Sequence, residues 1–154
     1  MEGMNGMEYD KRAEMFFRQG YNCAQSVFLA FAVDKMDKDE AARLASALGG
    51  GLAGMRMTCG AISGIAMAYG MMRGYSAPQD KDAKQKTYEA VRDMAQEFEK
   101  INGSMICRDL LGLDPNTKYV APSERTKEYY DKRPCPRLCA CAAGILAKRL
   151  ERDE

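Results

Sequence analysis

The sequence predicts an all-α fold, a compact single-domain helical bundle of about five to seven helices. Three observations carry this: apolar residues recur at three- and four-residue intervals, alternating β-branched runs are nearly absent, and 154 residues with no internal linker or repeat make one domain. Residues 1–7 precede the first periodic segment and are expected to be flexible. The first helix is expected over Tyr9 to Arg18, ending at Gly20. Asn22 and Gln25 form a capping-box pattern for the second, with Ala24, Val27, Phe28, Phe31 and Ala32 as its apolar stripe. Asp37 and Glu40 repeat that start signal for a short helix through Leu48.

The segment containing Gly49, Gly50, Gly51 and Gly54 is too flexible for helix. Thr58 then caps a helix to about Arg73, whose Gly60, Gly64 and Ala68 leave a thin face that another backbone can approach. After Pro78 a long polar helix runs to about Ile101, with Tyr88, Val91, Ala95 and Phe98 inward and Lys84, Glu89, Asp93 and Glu97 outward. One helical turn follows around Cys107 to Leu111. Residues 113–133 are expected to be an irregular surface excursion, with a helical turn after Ser123. The last helix opens at Pro134, Cys135 and Pro136.

Charge and composition exclude several functions. With 23 basic against 22 acidic residues the net charge is +1, so no nucleic-acid partner and no anionic membrane surface is expected. The most apolar stretch, Cys59 to Met72, is interrupted by small and polar residues and is shorter than the roughly 20 residues that cross a bilayer; the chain is expected not to span a membrane. The N-terminus carries acidic residues from Glu2 and lacks an apolar h-region, which predicts a cytoplasmic protein. There is no histidine, which removes Ser/His and Cys/His catalysis, histidine metal ligands and haem c attachment.

Six cysteines remain as the chemically active side chains. In a reducing compartment they are better suited to ligation, redox chemistry or quiet burial than to structural disulfides. Cys23, Cys59, Cys107 and Cys135 each stand at the start of a predicted helix, where unsatisfied amides and a partial positive charge favour thiolate over thiol. Such placement lowers a cysteine pKa from about 8.5 to between about 3.5 and 7.5. Arg56, Arg108, Arg133 and Arg137 lie close by in sequence. The intervals are tens of residues, so neither a zinc ribbon nor a local Cys-x-x-Cys pair is present, and only the tertiary fold can bring these sulfurs together.

The segments GYNCAQSVFLAF, GGGLAGMRMTCGAISG, INGSMICRDLLG and RPCPRLCACAAGIL resemble, in order and spacing, the redox-active family named for its C, GCAxxG, C, C pattern. Cys59 to Gly64 is the signature itself. The resemblance spans about Glu8 to Leu150 and implies a small helical redox-active protein whose hallmark cysteines map onto Cys23, Cys59, Cys107 and Cys135. It also implies a redox partner and a functional link to a transporter, neither of which the residues identify. Cys139 and Cys141 depart from the pattern. Cys139 shares a helix face with Cys135 and is open to a role as fifth ligand or resolving thiol, whereas Cys141 lies about 200° round the helix from Cys139.

Weaker signals read as structure. The glycine run matches neither a P-loop nor a dinucleotide fingerprint. Glu89, Asp93 and Glu97 are a solvated face, and Met55, Met57, Met67, Met71 and Met72 are adaptable packing more readily than a copper(I) site. Three functional readings stay open. A dithiol among the four cysteines cycles with a disulfide, making a thiol oxidoreductase. The same four bind a metal or iron–sulfur cluster, making an electron carrier. Or the thiols are inert and Gly60 and Gly64 form an association surface, as for a homo-oligomer or a binding module.

Overall fold

The computed structural model describes residues 8–153 and is built of α-helices; the segment 1–7, expected to be flexible, lies outside the described residues. The helices are α1 (Tyr9–Arg18), α2 (Cys23–Ala32), α3 (Lys38–Ala45), α4 (Gly60–Arg73), α5 (Lys81–Asn102), α6 (Cys107–Leu110), α7 (Lys127–Lys132) and α8 (Cys135–Arg152), with a 3-10 turn, Ser46–Leu48, after α3. The count slightly exceeds the expectation because α6 and α7 are separate short pieces. Among the described residues the only extended pairing is an antiparallel bridge between Thr58 and Ile106. No helix among them is long and apolar enough to cross a membrane.

Helix α2 is the centre of the molecule and packs against α1, α3, α4 and α8. Its burial extends beyond the expected stripe: Ser26, Leu29 and Ala30 are buried along with Ala24, Val27, Phe28, Phe31 and Ala32. A helix apolar all round belongs in the interior. The Ser26 hydroxyl is satisfied there by donating to the Asn22 carbonyl at 2.7 Å. The capping box is formed, with Gln25 N donating to Asn22 Oδ1 at 2.8 Å and Asn22 N donating to Gln25 Oε1 at 3.0 Å. Asn22 Nδ2 also donates to the Ser46 carbonyl at 3.0 Å, tying the end of the α3 segment to the start of α2.

Helix α4 lies on α2 through Gly64, where an added Cβ would stand 2.6 Å from Val27 Cβ and 3.0 Å from the Ala24 carbonyl oxygen. The backbone that approaches the thin face is thus α2 of the same chain, and Gly60 and Gly64 are buried there. The expected Thr58 cap shifts by one residue. Thr58 is used in the bridge, so Cys59 itself becomes the N-cap of α4.

Helix α5 is capped by Asp80, which accepts from Ala83 N at 3.0 Å, and is closed by left-handed Gly103. Its buried face is Ala90, Met94, Ala95 and Phe98. Tyr88, expected inward, is 56% exposed. Two residues before Ala90 it points about 200° away from it, and its ring meets Lys84 Nζ at 5.6 Å instead. Asp93, on the outward face, pairs with Arg149 of α8 at 3.4 Å.

Arg12 of α1 is almost wholly buried. Its Nη1 donates to the Ala30 carbonyl at 3.1 Å and to Asp34 at 2.7 Å, which pins α1 to the end of α2. These contacts bring the N-termini of α2, α4, α6 and α8 to one region.

Candidate functional site

One cavity of about 290 Å³ is lined by Cys23, Cys59, Cys107 and Cys135 together. Three local devices deliver the four sulfurs. Cys23 follows the Asn22 capping box at the start of α2. Cys135 is the first residue of α8, between the two prolines that fix that helix start. Cys59 and Cys107 flank the Thr58–Ile106 bridge, held by Cys59 N donating to the Met105 carbonyl at 2.8 Å and Cys107 N donating to the Met57 carbonyl at 2.6 Å. Strand-like alternation puts residues on either side of a bridge on one face, opposite the bridged pair. That is why these two cysteines look the same way.

The glycine segment forms a second wall. Gly50, Gly51, Leu52, Ala53 and Gly54 all have positive φ, between 49° and 77°, and Arg56 follows at 58°. The turn is wound against the natural handedness and closed by Arg56 N donating to the Gly50 carbonyl at 2.9 Å and Met57 N to the Gly51 carbonyl at 2.8 Å. At Leu52 and Ala53 this conformation costs about 1–2 kcal/mol each. Glycine at 51 is required by contact as well, since an added Cβ would lie 2.7 Å from Cys107 Cβ. The strain aims Arg56 inward. Its Nη1 reaches Cys107 Sγ at 3.8 Å, and its Nη2 donates to the Val120 carbonyl at 3.0 Å.

The excursion after Leu113 closes the cavity as well as lying on the surface. Val120 N donates to the Gly54 carbonyl at 3.0 Å, and Arg125 donates to the carbonyls of Phe17 at 3.0 Å and Tyr21 at 3.1 Å. The Arg125 guanidinium stacks 4.2 Å from the Phe17 ring centroid and 4.9 Å from that of Tyr129. Arg125, Tyr129 and Tyr119 therefore line the site although no sequence signal marked them, because a non-periodic stretch carries no information on which side chains turn inward. Of the basic residues near the cysteines, Arg56 and Arg133 line the cavity and Arg137 is exposed. Arg108 turns its Nη1 to the Arg56 carbonyl at 3.4 Å.

The remaining candidates sort clearly. Cys139 is fully buried behind the cavity wall, its Sγ 3.9 Å from the Cys23 carbonyl oxygen. Cys141 is half-buried on another side of α8 and accepts from Asn102 Nδ2 at 3.5 Å. Gly60 lines the cavity with its backbone beside Cys23, whereas Gly64 is packed on α2. Met55 and Met57 are exposed, while Met67, Met71 and Met72 pack against the core.

All six cysteines are free thiols. The expectation of acidic thiols is reversed. The Cys135 thiol beside it pulls Cys23 down, but Cys139, burial and the neighbouring sulfurs leave it well above the ordinary 9.0. The Cys23 thiol beside it, followed by burial, holds the proton on Cys135. Burial pushes Cys59 up to about 12 against the opposing pull of the Ala61 and Ile62 amides. Cys107 is raised by burial too, although Arg56 opposes this. Helix-end stabilisation of an anion is real, but desolvation and crowding of like groups outweigh it here.

Reactivity therefore grows with alkalinity. Alkylation of Cys107 by iodoacetamide, followed by peptide mass spectrometry, is expected to accelerate about tenfold per pH unit from pH 7 and to be still rising at pH 9. A plateau below pH 8 would contradict the burial-dominated balance.

Among the described residues no three cysteine, aspartate or glutamate side chains stand close enough to hold one metal ion. The four sulfurs share a cavity without forming a ready coordination shell. A fitting set would need about 2.3 Å from each sulfur to one zinc.

The model of a family described as "Putative redox-active protein (C_GCAxxG_C_C)" matches residues 21–149, which include all four cavity cysteines. No curated protein and no solved structure matches the chain.

Proposed function

We propose, from the premise that the chain belongs to the C_GCAxxG_C_C family of redox-active proteins, that its activity is thiol–disulfide exchange, with Cys23 and Cys135 as the working pair. The observation that carries this reading is that the two thiols share the four-cysteine cavity, where each affects the other's proton affinity more than any other group does. Cys23 is the better nucleophile of the two. Its residue is half-buried while Cys135 is buried, and Cys135 lowers the proton affinity of Cys23 whereas Cys23 raises that of Cys135.

The exchange balances with one substrate disulfide. The Cys23 thiolate forms a bond to one substrate sulfur while the substrate S–S bond breaks, and the departing thiolate takes a proton. Cys135 loses its proton and attacks the Cys23 sulfur of the mixed disulfide, and the second substrate thiolate leaves, protonated in turn. The protein dithiol gives up two electrons and two protons, and the substrate disulfide becomes two thiols. A partner dithiol returns the protein to its reduced form by the same steps reversed. Cys59 lies close enough to Cys23 to raise its proton affinity.

The test is a thiol count together with metal analysis of anaerobically prepared protein. The reduced chain, unfolded in denaturant for the count, should titrate six thiols, matching its six cysteines. Addition of an excess of a small disulfide should lower the count by two, and peptide mapping should place the new bond between Cys23 and Cys135. Stoichiometric iron or zinc retained by the protein, with colour or metal lost to chelator and no two-thiol change, would replace this reading by cluster or metal binding at the same four sulfurs.

A further inference from the structure

The cavity carries positive charge that the exchange reaction does not use. Arg56, Arg125 and Arg133 line it, and neither aspartate nor glutamate does. None of the three makes an ion pair among the described residues, where the paired arginines are Arg12, Arg18, Arg149 and Arg152. Arg56 is 6% exposed and its Nε has no hydrogen-bond partner. Burying a guanidinium without a counter-charge is costly, and an anion in the cavity would offset that cost. Arg125 is fixed by two carbonyls and three rings, so it supplies charge in a set position. Arg133 donates through Nη2 to Ser123 Oγ at 3.0 Å and is half-exposed.

We propose that the substrate of this site is an anionic small-molecule disulfide whose carboxylates are held by Arg56 and Arg133 while its S–S bond faces Cys23. This rests on the exchange reading above. The volume of about 290 Å³ is at the small end of ligand pockets, roughly 300–1,000 Å³, which suits a small molecule better than a protein chain. Leu110 and Leu138 line the same space. They suit the aliphatic carbons of a disulfide, where a bare inorganic anion would gain nothing. Guanidinium geometry matches carboxylate in a two-bond fork.

The experiment uses three disulfides with a common core and different charge: 2,2′-dithiodiacetate as dianion, bis(2-hydroxyethyl) disulfide as neutral, and cystamine as dication. Rates of oxidation of the reduced protein are each divided by the rate of the same disulfide with free 2-mercaptoethanol, which removes intrinsic reactivity. The dianion should exceed the neutral compound at least tenfold and the dication should be slowest. The order should collapse to within about threefold in Arg133→Gln and in 1 M salt. Arg56→Gln should do the same, and Arg133→Gln, at a half-exposed position, keeps the test open if the buried variant does not fold. Normalised rates that ignore charge in the wild type would overturn the proposal.

A separate arm measures binding of 2,2′-thiodiacetate, the unreactive thioether, by calorimetry. It should bind the wild type and lose at least tenfold in affinity in Arg133→Gln; no binding would also overturn the proposal. If none of the three disulfides oxidises the protein while the thioether binds in an arginine-dependent way, the exchange reading fails and the anion site stands.

Discussion

Cys135→Ser should turn the exchange into a trap. Treated with a small disulfide, the variant should retain one substrate half on Cys23, visible as a single added mass that a strong reductant removes. The wild type should show loss of two hydrogens and no retained adduct. Serine is close to cysteine in size but cannot close a disulfide, so the first step survives and the second does not. Turnover with a recycling dithiol should fall by at least about 10³-fold, the scale on which loss of an essential reacting group is felt. Cys141→Ser, half-buried beside Asn102 and outside the cavity, should exchange at the wild-type rate. An adduct found on Cys107 or Cys59, or unchanged turnover in Cys135→Ser, would move the reacting pair elsewhere.

Gly64→Val should be the most destabilising single change on α4. The first added carbon already stands 2.6 Å from Val27 Cβ and 3.0 Å from the Ala24 carbonyl oxygen, and both obstacles belong to the packed central helix. Neither can retreat cheaply, so the loss should be about 3 kcal/mol or more, which lowers the melting temperature of a chain this size by roughly 10 °C. Gly70 on the same helix provides the opposite sign. It is exposed and an added Cβ meets nothing within 4 Å, so Gly70→Ala should raise stability by about 0.5–1 kcal/mol through helix propensity alone. Chemical denaturation of the two variants side by side checks both. Equal effects would mean that α4 is not seated on α2 through Gly64.

These two outcomes depend on different kinds of information in the chain. Helix α1 and the Asn22–Gln25 start of α2 are readable because capping and apolar periodicity are local. Gly64 is readable as a thin place, although the identity of its neighbour is not. The four sulfurs can be marked as candidates from their positions before helices and from the family pattern, while their meeting in one cavity depends on the long-range bridge at Thr58 and Ile106. Arg125 escapes notice because residues 113–126 have no period to reveal an inward face, and Tyr129 because the six-residue helix that carries it is too short to show one. The direction of the thiol pKa values is not legible in the sequence for a related reason. Charge at a helix end is visible in sequence, but depth of burial, which decides the balance, belongs to the finished fold.

The cavity's sulfurs come from opposite ends of the gene product, and this orders events during synthesis. Cys135 leaves the ribosome more than a hundred residues after Cys23, a delay on the order of 10 s at about 5–20 residues per second. Until then Cys23 has no legitimate mate, yet Cys59 and Cys107 are already available to it. Full pairing of six cysteines admits 15 arrangements, so an oxidant met by the nascent chain would lock in mostly unproductive ones. Expression under oxidising conditions should therefore yield a scrambled, poorly soluble product, and the same polypeptide made under reductant should mature to a single species.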